Sequence, residues 1–308
     1  MRVFDGPWQG WPAAARPSSV TIGVLDGLHL GHRALLARLD DSMSRTVLTF
    51  DPHPVEVLRP GTPPRLITNI GERVALLDDA GVEGVGVLDL AEIKDQTPRE
   101  FVDGVLVDKL RVAHLVVGED FRFGKDRSGD VEMLAAFGDE LGFVVETIGL
   151  VADADAAVSS SRIRGLIETG KVSAASALLD SWFTVTNTVI EGDKRGRALG
   201  FPTANIRPPD RKVLPGTGVY SCFARLHGSR YDAAVNVGYR PTFGGGELLI
   251  EAFILDFDED IYGEALTLEF VEYTRPELKF SGVDDLVAQM ERDVAESRTV
   301  LERARTRI

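Results

Sequence analysis

The chain reads as α/β plus β. A doubly wound parallel sheet comes first, and a compact unit of short strands with one long terminal helix follows. Three observations predict this. Up to about residue 150, apolar runs of strand length alternate with segments of helical period, the pattern of β-α-β crossovers. Beyond residue 180, short apolar runs follow one another at close intervals, as in a barrel or sandwich. One long helical period remains after them, with Leu286, Met290 and Val294 on one face. With 308 residues, two domains are the natural expectation. The change of period near residues 179–182 sets them at 1–180 and 181–308.

Composition narrows the function classes. The net charge of −14 argues against broad nucleic-acid or anionic-membrane binding, while leaving room for local basic clusters. The single cysteine, Cys222, excludes an internal disulfide and a thiolate metal cluster. No apolar run of spanning length and no signal-peptide pattern is present, so a cytoplasmic protein without membrane partners is expected. A weak homo-oligomer is compatible with this composition.

Residues 1–19, rich in Pro, Ala, Gly and Trp, read as irregular with one short strand. Strands are expected at 20–25, 46–50, 82–88, 113–117 and 143–148. Helices are expected at 33–40, 72–80, 98–110 and 131–141. Thr97 is placed as an N-cap with Pro98 in the first turn, and Gly81 and Gly142 are placed to end helices. In such a sheet, ligands bind at the carboxyl ends of the strands.

The first chemistry-bearing stretch, Gly23-Val24-Leu25-Asp26-Gly27-Leu28-His29-Leu30-Gly31-His32, follows the first apolar strand. Its glycines allow a tight turn and close approach of a ligand to the backbone. The helix that follows offers free N–H groups, which suit a phosphate. His29 and His32, three apart, share one helical face and can donate hydrogen bonds to a triphosphate. The bland alternative is two surface histidines in an ordinary loop.

Two further clusters follow strands. Asp51-Pro52-His53-Pro54 reads as an extended turn that projects Asp51 and His53, with a rigid surface turn as the alternative. In Gly118-Glu119-Asp120-Phe121-Arg122-Phe123-Gly124-Lys125, aromatic faces alternate with cations that could meet a planar ring and anions. The alternative there is a hydrophobic anchor with solvated charges. A fourth cluster, Ser159-Ser160-Ser161-Arg162-Ile163-Arg164, starts another helix with hydroxyls and guanidinium groups. Two anion-ready helix starts favour a nucleotide triphosphate. Residues 151–157 read as a flexible lead into the serines.

This first part resembles the FMN adenylyltransferase module of bacterial bifunctional riboflavin kinase/FAD synthetases, within the nucleotidyltransferase superfamily. The resemblance runs through the Gly-x-x-Asp-Gly-x-His-x-Gly-His turn, residues 49–54, 116–124 and 159–164. It implies that His29 and His32 hold the ATP phosphates and that Ser160 and Arg164 belong to a phosphate-binding serine-arginine motif. It also implies that Asp120 and Phe123 lie near the adenine or flavin. Gly23, Asp26, Gly27, Gly31, Asp51, His53 and Ser159 complete the expected nucleotide and flavin contacts. Leu25 and Ser161 stand where the family often has Phe and Thr.

In the second part, a short helix is expected at 171–180. Strands are expected at 182–190, 218–226, 231–237, 248–255 and 266–273, and a helix from 283 to about 305. The chemistry concentrates in residues 192–205. Gly192, Gly196 and Gly200 let backbone N–H groups wrap around phosphate, and Lys194, Arg195 and Arg197 supply counter-charge. Thr203 and Asn205, after Pro202, present hard oxygen ligands suited to Mg²⁺. The alternative is a basic hairpin loop.

This stretch resembles the riboflavin kinase module of the same family, with Gly200-Phe201-Pro202-Thr203-Ala204-Asn205 matched residue for residue. Asn236-Val237-Gly238, Arg240-Pro241-Thr242-Phe243, Glu251, Asp256-Phe257, Ile261-Tyr262-Gly263, Arg275-Pro276-Glu277 and Phe280 match as well. The resemblance implies a small antiparallel β-barrel, Glu251 as the general base and Arg275 as a binding residue. It implies ATP as co-substrate with Mg²⁺, and riboflavin, FMN and FAD as substrates and products. Asp180-Ser181-Trp182 and Asn187 stand where the family has Gly-Arg and an early strand glycine. The competing functions are a nucleotidyltransferase on another substrate with the barrel as a binding module, and a non-enzymatic flavin-binding protein.

Overall fold

The computed structural model describes residues 1–153, 156–192, 200–240 and 247–306. Two compact units form, Met1–Ser160 and Ser161–Ile308.

In the first unit the elements run β1 (Arg2–Phe4), β2 (Ser18–Ile22), α1 (Leu30–Leu36), β3 (Ser44–Phe50), α2 (Pro54–Leu58), α3 (Ile70–Asp79) and β4 (Gly84–Leu88). They continue with α4 (Leu90–Ile93), α5 (Pro98–Phe101), which passes into a π-helical stretch (Val102–Lys109), then β5 (Val112–Gly118), α6 (Val131–Leu141) and β6 (Val144–Ile148). A two-stranded ladder, β7 (Ala152–Asp153) with β8 (Ala156–Ala157), follows where a flexible lead was expected. The main sheet has the order β1-β4-β3-β2-β5-β6 and is parallel throughout. Successive residues alternate between two cores. Leu48, Leu115 and Val117 join Trp11, Phe101 and Leu106 on one face, and Val47 and Val116 join Leu28, Leu36 and Leu77 on the other. Helices on both faces are what parallel strands require.

The central strand β2 begins two residues before the expected start and stops at Ile22. Ser18, Ser19 and Thr21 are buried in it. The polar residues hid the start, yet the serines are satisfied: Ser18 bonds the Leu110 carbonyl, and Ser19 Oγ lies 2.9 Å from His114 Nδ1. Thr97 caps α5 in a capping box with Glu100, and Gly142 ends α6 in the left-handed region. The chain at residues 51–54 departs from an extended turn. His53 instead caps α2 with Pro54 in its first turn, because a proline there lacks only an N–H that the helix leaves unpaired anyway.

The second unit begins with α7 (Ser160–Glu168), whose first residue is the last of unit one, and α8 (Val172–Leu179). The barrel strands are β9 (Phe183–Ile190), β10 (Ala204–Ile206), β11 (Gly218–Leu226), β12 (Ser229–Arg240), β13 (Glu247–Ile254) and β14 (Ala265–Arg275), followed by α9 (Val283–Arg305). They close in the order β10-β13-β12-β11-β14-β9, with β9 pairing β10. Closure leaves no open sheet edge. The strand β11 is buried on both faces except at Arg225, because α9 packs Leu301 and Ala304 onto Phe223 and Val271 outside the barrel. The three-residue β10 was not expected, being too short for a period of two to show. Asn187 sits within a regular β9, and its Nδ2 donates to the Arg207 carbonyl at 2.9 Å. The matched residues Pro241, Thr242 and Phe243 lie outside the described residues.

The compact division lies ahead of the change of period at residue 180. The cause is α8, which buries Val172, Ala175, Leu178 and Leu179 and packs on β9 and β14. Val172, Leu178 and Leu179 each contribute about 1.5–3 kcal/mol when fully buried. A fragment of residues 161–308 is therefore expected to unfold cooperatively on heating, and one of residues 182–308 to melt at least about 10 °C lower. Equal melting temperatures measured by circular dichroism would show that α8 adds nothing to the barrel unit.

Candidate functional site

In the first unit the strand order reverses at β2, with β3 on one side and β5 on the other. Such a switch point opens a crevice at the carboxyl ends of the strands. The turn 23–29 follows β2 and the turn 119–124 follows β5, so both expected clusters stand at this edge, with residues 51–54 beyond β3.

The turn after β2 is built around a buried carboxylate. Asp26 is 1% exposed, and its oxygens accept from the N–H groups of Ile67 (3.1 Å) and Thr68 (2.8 Å) and from the Thr68 hydroxyl (3.1 Å). Thr68 Oγ1 accepts in turn from Gly27 N at 3.0 Å. The Asp26 side chain thus holds the turn in place from inside. Gly27 takes φ +85°. Gly31 lies under the His29 ring, where an added Cβ would sit 3.1 Å from Cε1. A Cβ on Gly23 would make only ordinary contact, so no steric demand fixes that position. Ser160, expected among the helix-capping serines, donates its hydroxyl to the Asp26 carbonyl at 2.9 Å.

His29 is the N-cap of α1 and His32 lies in its first turn. Their rings stack, with centroids 3.6 Å apart and planes 17° from parallel. Both Nδ1 atoms are buried without a hydrogen-bond partner. Burial pushes His29 down to about 4, against the pull of Asp26. Burial, His29 and Arg73 hold His32 well below the usual imidazole range. At neutral pH the pair is therefore uncharged, able to donate or accept hydrogen bonds but not to act as two cations.

Other expected residues are distributed differently. Phe123 is 7% exposed and stacks on Phe121 at 5.7 Å beside Phe101, so it is part of the core rather than a platform for a ring. Asp120 and Asp51 are exposed at the strand ends. His53 Nδ1 accepts from Val55 N at 3.2 Å. Ser159 precedes α7. In the second unit, Arg164 donates to Ser161 Oγ at 3.1 Å.

Two cavities border the barrel among the described residues. One, of about 380 Å³, is lined by Gly192, Pro202, Thr203, Asn205, Asp258 and Tyr262, among others. Asn205 is buried and its Nδ2 donates to the Thr203 carbonyl at 3.3 Å. Gly192 is required there by space, since a Cβ would fall 2.3 Å from Asn205 Nδ2. Gly200 leads into this segment; Lys194, Gly196 and Arg197 lie outside the described residues. The second cavity, of about 300 Å³, also includes Thr203. Its apolar walls include Phe201, Phe253, Leu286 and Met290, and its polar groups include Glu251, Asn236, Arg275 and Glu277. In the register, Glu251 on β13 faces Asn205 on β10 and Asn236 on β12. Arg275 forms a two-pronged pair with Asp293 of α9 (2.7 and 2.6 Å), which Gln289 supports at 2.8 Å.

Sequence reasoning missed Asp293, Arg73 and Thr68. Asp293 lies on a helix face whose charges read as solvated, and Arg73 and Thr68 carry no motif. Asn236 was part of a matched motif but was not singled out.

A nucleotide-ready switch point followed by a two-cavity barrel defines a class, that of two-site transferases acting on phosphate esters. Residues 12–162 match the FAD synthetase family and residues 179–301 the riboflavin kinase family. The chain belongs to the bifunctional riboflavin kinase/FMN adenylyltransferase family. It is 37% identical to the protein of that description from Listeria monocytogenes over 91% of each chain. It is 34% identical to the one from Escherichia coli K12 over 89% of this chain and 90% of that one. A solved structure from Streptococcus pneumoniae, described as a macrolide-efflux protein, superposes with a TM-score of 0.89 at 31% identity over 97% of this chain and 99% of that one. Among the described residues, no helix is long and apolar enough to cross a membrane.

The neutral histidine pair has a consequence for stability. Between about pH 4 and 6.5 the unfolded chain binds protons that folded His29 does not, so stability falls as pH drops through that window. The melting temperature is expected to fall by at least about 4 °C more in the parent than in a His29→Asn, His32→Asn variant between pH 6.5 and 4.5. Parallel pH profiles from calorimetry would contradict this.

Proposed function

We propose that the first unit transfers AMP from ATP to FMN and that the barrel phosphorylates riboflavin, so that one site makes the substrate of the other. The family matches, ending at 162 and starting at 179, support a functional boundary at 180 although α7 and α8 pack with the barrel unit. The observation that carries the kinase assignment is that Thr203 lines both barrel cavities. A nucleotide in the cavity that holds Asn205 and a flavin in the one that holds Glu251 then meet at one residue.

In the barrel, the apolar walls suit the isoalloxazine ring and the polar end suits the ribityl chain. A ribityl hydroxyl attacks the γ-phosphorus of ATP, the bond from that phosphorus to the β-phosphate oxygen breaks, and ADP leaves. The hydroxyl proton goes to Glu251, the carboxylate that lines the flavin cavity. The Thr203 hydroxyl and Asn205 amide oxygen fit Mg²⁺, a hard cation that takes few protein ligands and completes its shell with phosphate oxygens and water. Held by Thr203 and Asn205, such a cation would neutralise phosphate charge. Gly192 and Gly200 are proposed to lie against the phosphates with Lys194, Gly196 and Arg197, while Arg275, fixed by Asp293, borders the flavin.

In the first unit, an FMN phosphate oxygen attacks the α-phosphorus and pyrophosphate departs. The nucleophile is already an anion, so positioning and hydrogen bonding suffice. Stacked, neutral His29 and His32 are proposed to donate to the phosphates. Arg164 is retained as a phosphate ligand on its motif alone, and Asp120 as a contact at the end of β5. Asp26 and Phe123 act from inside, as supports.

A crossed pair of variants tests the division. His29→Ala with His32→Ala is expected to stop FAD formation and spare FMN formation. Glu251→Gln is expected to lower FMN formation about 10²–10⁴-fold, as for loss of a general base, and to spare FAD formation from supplied FMN. Equal loss of both products in either folded variant would overturn the two-site assignment. Near-normal kinase turnover in Glu251→Gln would remove Glu251 from the mechanism.

A further inference from the structure

Arg73, on α3, is 1% exposed, although an arginine on a helix is expected in water. Its Nη1 donates to Thr49 Oγ1 at 3.2 Å and to the Phe50 carbonyl at 3.0 Å, and its Nη2 donates to the Thr68 carbonyl at 3.3 Å. Two of these acceptor residues, Thr49 and Thr68, lead to the histidine-bearing turn. Thr49 Oγ1 donates to the Val24 carbonyl at 2.9 Å. Thr68 holds both Asp26 and Gly27 N. One guanidinium therefore joins the end of β3, the segment at Thr68 and, one residue further on, both sides of the turn 24–27. A planar fork reaches these diverging acceptors from two separate nitrogens, where an ammonium group has one.

We infer that Arg73 is a positioning residue for adenylyl transfer, holding the turn that presents His29 and His32. The inference rests on the assignment of adenylyl transfer to this unit. Burial lowers Arg73 from its usual range, and Asp26 and Asp51 offset part of that effect. His32 faces two groups that disfavour its proton, His29 and Arg73, and His29 faces Asp26, which favours one. Burial does most to keep the stacked pair uncharged, and Arg73 is a fixed cation that adds to this at His32. Its Nε is buried without a hydrogen-bond partner, so the guanidinium is placed by its two terminal nitrogens alone.

The test uses the full chain with Arg73→Met and Arg73→Lys, each assayed for FAD formation from supplied FMN and for riboflavin phosphorylation, with imidazole titration followed by NMR. For Arg73→Met, kcat for FAD formation is expected to fall about 10²-fold, the usual scale for a misplaced constellation, with FMN formation unchanged. The His32 titration is expected to move up. Arg73→Lys is expected to restore the titration but not the full turnover. A merely structural role would lower stability and leave the titration where it was, which would overturn the inference, as would turnover within threefold of the parent. If Arg73→Met does not fold, Thr49→Val removes one acceptor at similar volume: a roughly 10-fold loss of FAD formation with an unmoved titration supports the inference, and unchanged turnover overturns it. A parent that makes no FAD would instead count against the assigned activity, and the titration would still read the role of Arg73.

Discussion

The first unit depends on a carboxylate that never meets solvent. Asp26 sits at the point where β2 gives way to an irregular turn, and such a turn leaves backbone N–H groups without ladder partners. Its oxygens collect Ile67 N, Thr68 N and the Thr68 hydroxyl, so two distant segments lock into one. A buried ion is tolerated only when it is hydrogen-bonded and compensated. The compensation is Arg73, which is buried nearby and bonded to three acceptors of its own. From this frame follow the stacking of His29 on His32 and the seat of Ser160 on the Asp26 carbonyl.

The barrel solves a different problem. A kinase must bring a hydrophobic ring and a charged nucleotide together without mixing their pockets. Two cavities border the barrel among the described residues, one beside β10 and one walled in part by the terminal helix. Thr203, just before β10, borders both, and Asn205 on β10 stands opposite Glu251 in the ladder. The terminal helix supplies the apolar wall through Leu286 and Met290 and the Asp293 carboxylate that orients Arg275. This explains why α9 is tied to the barrel by Arg275–Asp293, Arg298–Asp256 and Arg305–Asp232 and packs on its outer surface.

Much of this was legible in the sequence. Alternating periods gave the parallel sheet, and motif order gave the family. Histidine spacing gave a shared face, which the stacked rings bear out. What escaped notice has physical reasons. The start of β2 was hidden because Ser18, Ser19 and Thr21 look like loop residues until their buried bonds are known. Asp26 and Phe123 have the residue types of ligands, yet tertiary packing turns both inward, and no spacing reveals that. Arg73 reads as a solvated charge, because one chain seen in one dimension cannot show that β3 and the segment at Thr68 close over it. β10 is too short for period two to register.

The central claim is that one chain carries riboflavin through two chemically distinct transfers. The most direct measurement is a time course of the full chain with riboflavin, ATP and Mg²⁺, resolving flavins and phosphate products chromatographically. The expected result is FMN rising first with equimolar ADP, then FAD rising with equimolar pyrophosphate as FMN declines. Accumulation of FMN with no FAD, even when FMN is supplied, or FAD from supplied FMN with no phosphorylation of riboflavin, would contradict it.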